Sequence, residues 1–326
     1  MAFLFLNFLN GLPTLTKNLN GQKLNFLYIH SSTLFTMTIK RRNFLKTAGG
    51  FAAGIAFTPY ACSNSGSTET SNQMTKTFGL QLYTLRDDFP RDPKGVLAKV
   101  ASYGYKQIEG YEADRGLFWG MTNKELKAYM DELDMKLVSS HCDIDNDFER
   151  KAAEAAEIGM EYLICPWRMQ QSLDDYYAVA EDFNAKGEIC KQNGIKFAYH
   201  NHAYTFTEMD GKMPHDLLMD NTDPSLVEHE MDIYWVVTAG QDPIEWIKKY
   251  PNRFTLSHMK DRMKGTDEAE ATCTLGTGLI DFPSIVKAGR ANGMKHFIVE
   301  QERYEGTTPL QSAEDNAAYM STLNIS

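Results

Sequence analysis

The sequence predicts an α/β protein, a (β/α)8 TIM barrel forming a single domain behind an N-terminal export signal. Three observations carry that expectation. From residue 78 onward, short apolar runs alternate with longer amphipathic ones, the pattern of repeated β-then-α units that closes a parallel barrel. No Gly-x-Gly-x-x-Gly follows the first run, which speaks against an open dinucleotide-binding sheet. Ionisable side chains also collect at the carboxyl ends of the later runs, where such barrels do their chemistry.

Taken in order, strands are expected at 78–83, 105–109, 135–140 (ending at His141), 161–165, 195–202, 226–232, 254–260 and 296–300. Helices are expected at 93–103, 123–133, 149–158, 173–192, 243–249, 283–292 and 310–323. The fifth strand is the clearest. Ile195, Phe197 and Tyr199 favour the pleated conformation, and Asn193-Gly194 just before them ends a helix. A strand alternates its faces, so Phe197 and Tyr199 point one way while Ala198, His200 and His202 point the other. In the long polar loop after the seventh strand, Gly276-Thr277-Gly278 lacks the lysine of a phosphate loop and reads as turn chemistry.

The N-terminal 76 residues read as something other than barrel. Lys40-Arg41-Arg42-Asn43-Phe44-Leu45-Lys46 is a twin-arginine pattern, followed by a small apolar run too short for an ordinary membrane span. Residues 37–62 therefore read as a signal for export of a folded protein to the periplasm. Residues 1–36 read as an overextended start or an extension ahead of Met37. Cys62 resembles a lipoprotein attachment cysteine, although Pro59 stands where an aliphatic residue is usual. The stretch 63–76 is low in hydrophobes and reads as a flexible linker, leaving 77–326 for the barrel.

Composition narrows the partners. Of 326 residues, 43% are hydrophobic and 23% charged, enough for a sizeable core in a soluble globular protein. A formal charge of −10 argues against nucleic acid and disfavours a large polyanion, while a neutral small molecule is compatible. Cys142, Cys165, Cys190 and Cys273 have no Cys-x-x-Cys pairing, so they read as small buried hydrophobes rather than a thiolate metal site.

The strand ends carry the chemistry. His141 ends the third strand, His200 and His202 the fifth, Glu230 and Asp232 the sixth, His258 and Lys260 the seventh, and Glu300 and Glu302 the eighth. Within each pair the spacing is two, so both members face the same side. So many ionisable groups in one barrel mouth call for an organising cation. Two imidazoles with two carboxylates suit Mn²⁺, Co²⁺ or Zn²⁺ better than Mg²⁺. Each residue also has an ordinary reading: Asp232 as a turn cap, His258 as a core histidine, Glu300 as a partner for Lys260.

Several stretches together resemble the xylose isomerase-like family of sugar phosphate isomerases and epimerases. They are Gln81-Leu82-Tyr83-Thr84-Leu85-Arg86, Glu230-Met231-Asp232-Ile233-Tyr234-Trp235-Val236, Ala239-Gly240-Gln241-Asp242-Pro243, His258-Met259-Lys260-Asp261, Gly276-Thr277-Gly278-Leu279-Ile280-Asp281-Phe282 and Val299-Glu300-Gln301-Glu302. The resemblance runs from about residue 77 to the end. It implies a metal-dependent barrel akin to ketose 3-epimerases, inosose dehydratase and inosose isomerase. It also implies metal ligands at His200, Asp232, His258 and Glu300. His200 departs from the glutamate that many epimerases carry on strand five, which removes their symmetric carboxylate pair and weakens a plain 3-epimerase reading. Thr277 is a second departure, at a position where relatives often carry an acidic residue.

The expected reaction is isomerisation or epimerisation of a free sugar or keto-sugar, by proton removal next to a metal-bound carbonyl through an enediolate. Glu300 or Glu302 is the candidate base and Lys260 the electrophile or proton donor. His202, His141, Glu109 and Glu230 are candidate substrate contacts, and Trp167, Tyr83 and Trp235 offer aromatic faces or ordinary packing. For Glu109 a surface ion pair is the rival reading. Two alternatives stand beside this: a lyase or dehydratase acting on a 3-keto-glycoside or inosose, and a non-catalytic sugar-binding protein of the envelope. The oligomeric state is left open.

Overall fold

The computed structural model describes residues 77–325. The export signal, the start at Met37, the linker and Cys62 all lie outside the described residues. Among those described, no helix is long and apolar enough to cross a membrane.

The chain forms β1 (Gly79–Gln81), α1 (Pro93–Ser102), β2 (Gln107–Tyr111), α2 (Asn123–Glu132), β3 (Lys136–His141), α3 (Phe148–Glu157), β4 (Tyr162–Cys165) and α4 (Leu173–Gln192). Then follow β5 (Lys196–His200), α5 (Pro214–Asn221), β6 (Val227–Asp232), α6 (Ile233–Thr238), α7 (Pro243–Lys249) and β7 (Phe254–Met259). A two-stranded hairpin, β8 (Asp261–Arg262) with β9 (Thr272–Cys273), precedes α8 (Phe282–Ala291), β10 (His296–Val299) and α9 (Pro309–Thr322). The parallel strands close in the order β1-β10-β7-β6-β5-β4-β3-β2, the expected (β/α)8 barrel.

Local chemistry sets many boundaries. Thr122 and Glu125 form a reciprocal capping box at the start of α2. Asp92, Asp242, Asp281 and Thr308 each cap a helix that carries proline in its first turn, where the missing N–H is harmless. The Gly276-Thr277-Gly278 turn wraps a carboxylate: Asp261 Oδ2 accepts from the amides of Gly276 and Gly278, both at 2.9 Å. Gly276 has φ +80°, and a Cβ on Gly278 would collide with Asp261 and Arg262.

Two cores result. The main one lies between strands and helices, where Phe197, Tyr199, Phe183 and Phe148 pack. A smaller one, Tyr162, Ile164, Ala198 and Leu256, comes from the opposite faces of β4, β5 and β7 and plugs the barrel. Cys142, Cys165 and Cys190 are buried and Cys273 half-buried, all as free thiols.

The structure corrects several expected boundaries. β1 stops at Gln81, because the Gln81 side chain accepts the Tyr83 amide at 3.0 Å and turns the chain into a short 3-10 helix. Tyr83 is therefore off the strand. β5 stops at His200, because Asn201 exchanges two hydrogen bonds with the Asp232 backbone, both at 3.1 Å, in place of continued pairing. His202 sits just ahead of the 3-10 turn Ala203–Phe206. Lys260, Glu300 and Glu302 likewise lie just past their strands. α5, α6 and the hairpin are elements that the apolar periodicity did not reveal.

Candidate functional site

Register brings the strand-end residues together. His200 lies beside Glu230, Asp232 beside His258, and Tyr111 beside His141 in neighbouring strands. Register shifts fall at Ile108/Glu109 and at His229/Glu230, irregularities of the kind that re-aim a side chain. Glu109 and Glu230 are both fully buried inside the barrel, which excludes the surface ion pair entertained for Glu109.

The side chains form two layers. In the deeper layer, Glu109 accepts from Gln81 Nε2 at 2.8 Å and Ser139 Oγ at 2.6 Å, and lies 2.6 Å from His258 Nε2 and 3.2 Å from His141 Nε2. Beside it, Glu230 Oε2 lies 2.9 Å from His141 Nε2, 3.0 Å from His200 Nδ1 and 3.3 Å from His258 Nε2. The upper layer holds Asp232, Glu300, Lys260 and Glu302. Lys260 is buried; its ammonium lies 3.0 Å from Glu300 Oε2 and 3.7 Å from Asp232 Oδ2, and also pairs with Glu302. His258 joins the layers, with its Nδ1 3.2 Å from Glu300 Oε2 and 3.8 Å from Asp232 Oδ2.

The electrostatics follow from burial and company. Burial opposes a charge on His141, but Glu109 and Glu230 outweigh it and raise its pKa to about 9. His258 is raised against burial by Glu230, Glu300 and Glu109. His200 goes the other way, lowered by burial and then by His258 and His141. Burial, with Glu109 second, pushes Glu230 up, and burial pushes Asp232 up to about 6. Burial would also raise Glu300, yet Lys260 and His258 hold it well below the usual carboxylate range.

Above the layers opens a cavity of about 830 Å³, a size usual for small-molecule sites. His141, His200, His202, Lys260, Glu300 and Glu302 reach it. Glu109, Glu230, Asp232 and His258 lie beneath it rather than on its wall. Trp167 and Tyr83 do line it, and both are well exposed. His202 is half-buried and packs against Trp167, Tyr204 and Trp235, with ring centroids 4.6, 5.7 and 5.5 Å away; desolvation and then Lys260 lower its pKa to about 3. Sequence reading assigned no role to Tyr204, Arg168, Gln81 and Asn201. Gln81 stood in the 81–86 stretch that carries the family resemblance, a polar residue directly after a strand was the available signal for Asn201, and Tyr204 and Arg168 carried none.

The donors fit a divalent cation. Among the described residues, two groups present closely spaced ligand atoms, all within 4.8 Å of one another: His141, His200, Glu230 and His258, and Asp232, His258 and Glu300. Glu230 Oε1 and Asp232 Oδ2 are buried without a hydrogen-bond partner, an expensive state that a cation relieves. The four residues expected as ligands are thus divided: His200 stands with the deeper group, and Asp232 and Glu300 with the upper one. Asp232 also fulfils its ordinary reading, since its Oδ1 caps α6 through the Trp235 amide at 3.1 Å.

The family model for the xylose isomerase-like TIM barrel matches residues 97–323. The chain belongs to that family. It is similar to a sugar phosphate isomerase/epimerase from Parabacteroides distasonis ATCC 8503: 30% identity, 78% of this chain and 96% of that one, TM-score 0.67. An inosose dehydratase from Clostridium perfringens (strain 13 / Type A) is 29% identical over 202 residues, 56% of this chain and 64% of that one. The chain thus matches just under two thirds of that curated relative's length. The IOLI protein, solved with a zinc atom, shares the fold at 16% identity and TM-score 0.62, over 75% of this chain and 96% of that one.

Proposed function

We propose that this family member is a metal-dependent enzyme that isomerises or epimerises a free sugar or keto-sugar by moving the proton next to its carbonyl. The observation that carries the reading is the pairing of a buried imidazole–carboxylate cluster with a Lys260–Glu300–Glu302 constellation on the floor of one cavity. A divalent ion held there, with His258 common to both donor groups, would supply Lewis-acid polarisation of a carbonyl.

The chain's own residues supply the proton chemistry. Lys260 keeps Glu300 ionised, so Glu300 is available to accept a proton, although a lowered pKa makes it a weak base. Glu302 shares the same ammonium and is 32% exposed, which makes it the more accessible acceptor. Lys260 is the donor that returns a proton to oxygen. His202, neutral at pH 7, and His141 orient hydroxyls, and Trp167 offers an aromatic face to the ring.

A phosphorylated substrate is disfavoured, whatever the names of relatives. Arg168 and Lys260 on the cavity wall are already paired, Arg168 with Asp145 and Asp182. Glu112, Asp143, Glu270 and Glu302 add negative charge to the same wall. Export through the twin-arginine signal at Arg41-Arg42 belongs to the same proposal.

Dehydration is the second reading, favoured by the likeness to inosose dehydratase and by a lysine placed to protonate a leaving hydroxyl. Proton NMR in D₂O with an inosose and a panel of ketoses and 3-keto-glycosides separates the readings. Solvent deuterium in a product of otherwise unchanged composition marks isomerisation, and loss of water marks dehydration. His258→Ala should abolish both metal content and exchange. Metal content equal to wild type in that variant, or a wild type that exchanges no substrate proton, would sink the enzyme reading and leave a sugar-binding protein.

A further inference from the structure

The geometry points to the deeper group, His141, His200, Glu230 and His258, as the seat of the ion, with Asp232 and Glu300 outside the coordination set. This rests on the metal-dependent reading above and goes beyond it by naming the seat, which differs from the one the sequence resemblance implies.

The first reason is how three imidazoles share one oxygen. His141 Nε2, His200 Nδ1 and His258 Nε2 lie 2.9, 3.0 and 3.3 Å from Glu230 Oε2, while Glu230 Oε1 is buried with no partner. His258 Nε2 sits closer to Glu109 Oε1, at 2.6 Å, so Glu230 Oε2 takes two imidazole hydrogen bonds and a third nitrogen at longer range while its other oxygen goes unused, an uneven hydrogen-bond arrangement. It suits a metal ion better: bonds of about 2.0–2.1 Å in a tetrahedron put ligand atoms about 3.3–3.4 Å apart, near the three Glu230–imidazole separations, and all four ligand atoms lie within 4.8 Å of one another. A register shift falls at His229/Glu230, next to this carboxylate, an irregularity of the kind that re-aims a side chain.

The second reason is Lys260. Its ammonium lies 3.0 Å from Glu300 Oε2 and 3.7 Å from Asp232 Oδ2, so the upper carboxylates already hold a cation. A divalent ion there would face that ammonium at close range in a buried setting. The deeper group contains no lysine or arginine, only imidazoles that can give up a proton to bind an ion.

The third reason is the outward nitrogen of His258 and of His200. A ligating imidazole uses one nitrogen for the metal and gives its other N–H to a carboxylate or carbonyl. With Nε2 turned to the ion, His258 offers Nδ1 to Glu300 at 3.2 Å; with Nδ1 turned to the ion, His200 offers Nε2 toward Asp232 at 3.7 Å. Asp232 and Glu300 then orient ligands and remain free for proton transfer. Three imidazoles and one carboxylate also select Zn²⁺ or Co²⁺ over Mg²⁺.

The test is Co²⁺ binding to the metal-free protein, followed by visible absorption and by competition with a chelator. Variants that pass a circular-dichroism check for folding are compared. Glu230→Gln and His141→Ala should each weaken Co²⁺ by about 1,000-fold or more. Asp232→Asn and Glu300→Gln should cost no more than about 100-fold, the range for residues that only orient ligands. The opposite pattern puts the ion in the upper group and overturns the inference while leaving a metal-dependent enzyme. A wild type that binds no Co²⁺ or Zn²⁺ overturns both. Should Glu230→Gln and His141→Ala fail to fold, ¹⁵N-histidine NMR of the Zn²⁺-loaded wild type decides. A retained Nδ1–H on His258 is expected, and zinc on that nitrogen sinks the assignment.

Discussion

Two sets of buried histidines in this barrel differ in almost everything but burial. His141, His200 and His258 face the barrel interior, and each has a carboxylate oxygen within 3.3 Å. His215 and His229 lie in the layer between strands and helices. His215 packs among Phe206, Trp246 and Phe254, and neither of its ring nitrogens has a hydrogen-bond partner. His229 and Glu230 are consecutive on β6, so one strand sends a histidine to the outer core and a carboxylate to the inner site. A buried imidazole is therefore no sign of function by itself. The carboxylates around it are what separate a site from packing.

The largest effect that would sharpen this contrast is on the upper carboxylates. Glu300→Gln should lower substrate C–H exchange in D₂O by about 10²–10⁴ in protein that circular dichroism shows to be folded. Unchanged exchange would remove Glu300 from the chemistry. Next, Lys260→Met removes the buried ammonium that Glu300 and Asp232 share, leaving His258 as their nearest cationic group, and should cost about 3–5 kcal/mol in urea unfolding of the metal-free protein. A loss below about 1 kcal/mol would mean the pairing contributes little.

The aromatic-layer histidine predicts acid sensitivity instead. Burial, then Arg253 and Lys249, lowers the His215 pKa to about 3, against about 6.5 in the unfolded chain. Below pH 6.5 the unfolded state therefore binds a proton that the folded state refuses. Stability falls as pH falls, by up to about 1.4 kcal/mol per unit, until about pH 3. His215→Phe should flatten part of that slope; an identical slope would show that His215 has a partner or water that shields it. The smallest effect belongs to the rim. Trp167 is 51% exposed, so Trp167→Ala should change stability by no more than about 0.5 kcal/mol, yet weaken sugar binding by about 1 kcal/mol in calorimetry.

Much of the barrel was legible. The helix expected at 173–192 coincides with α4, and that expected at 243–249 with α7, because apolar spacing and capping are local signals. The deviations are local as well. Gln81 and Asn201 end their strands through side-chain hydrogen bonds to backbone that no apolar pattern reveals. The short helix α6 starts on Asp232, a cap already counted as a strand-end acid. In the site, the spacing of two rightly grouped the ionisable residues but treated each pair as level. It could not see that Glu230 and Asp232 belong to different layers, because one residue pair along a strand is one step in depth.

The sequence by itself determined the eight-fold alternation, the end of the barrel that carries the chemistry and the residue types gathered there. Those follow from short-range periodicity and from turn and cap preferences. Only the tertiary structure decided which imidazole nitrogen faces which carboxylate. That outcome depends on inter-strand register and its two shifts, and on contacts such as Glu109 with His258, 149 residues apart in the chain. A shift of one residue in register turns a side chain to the other face, so this information exists only once the barrel has closed.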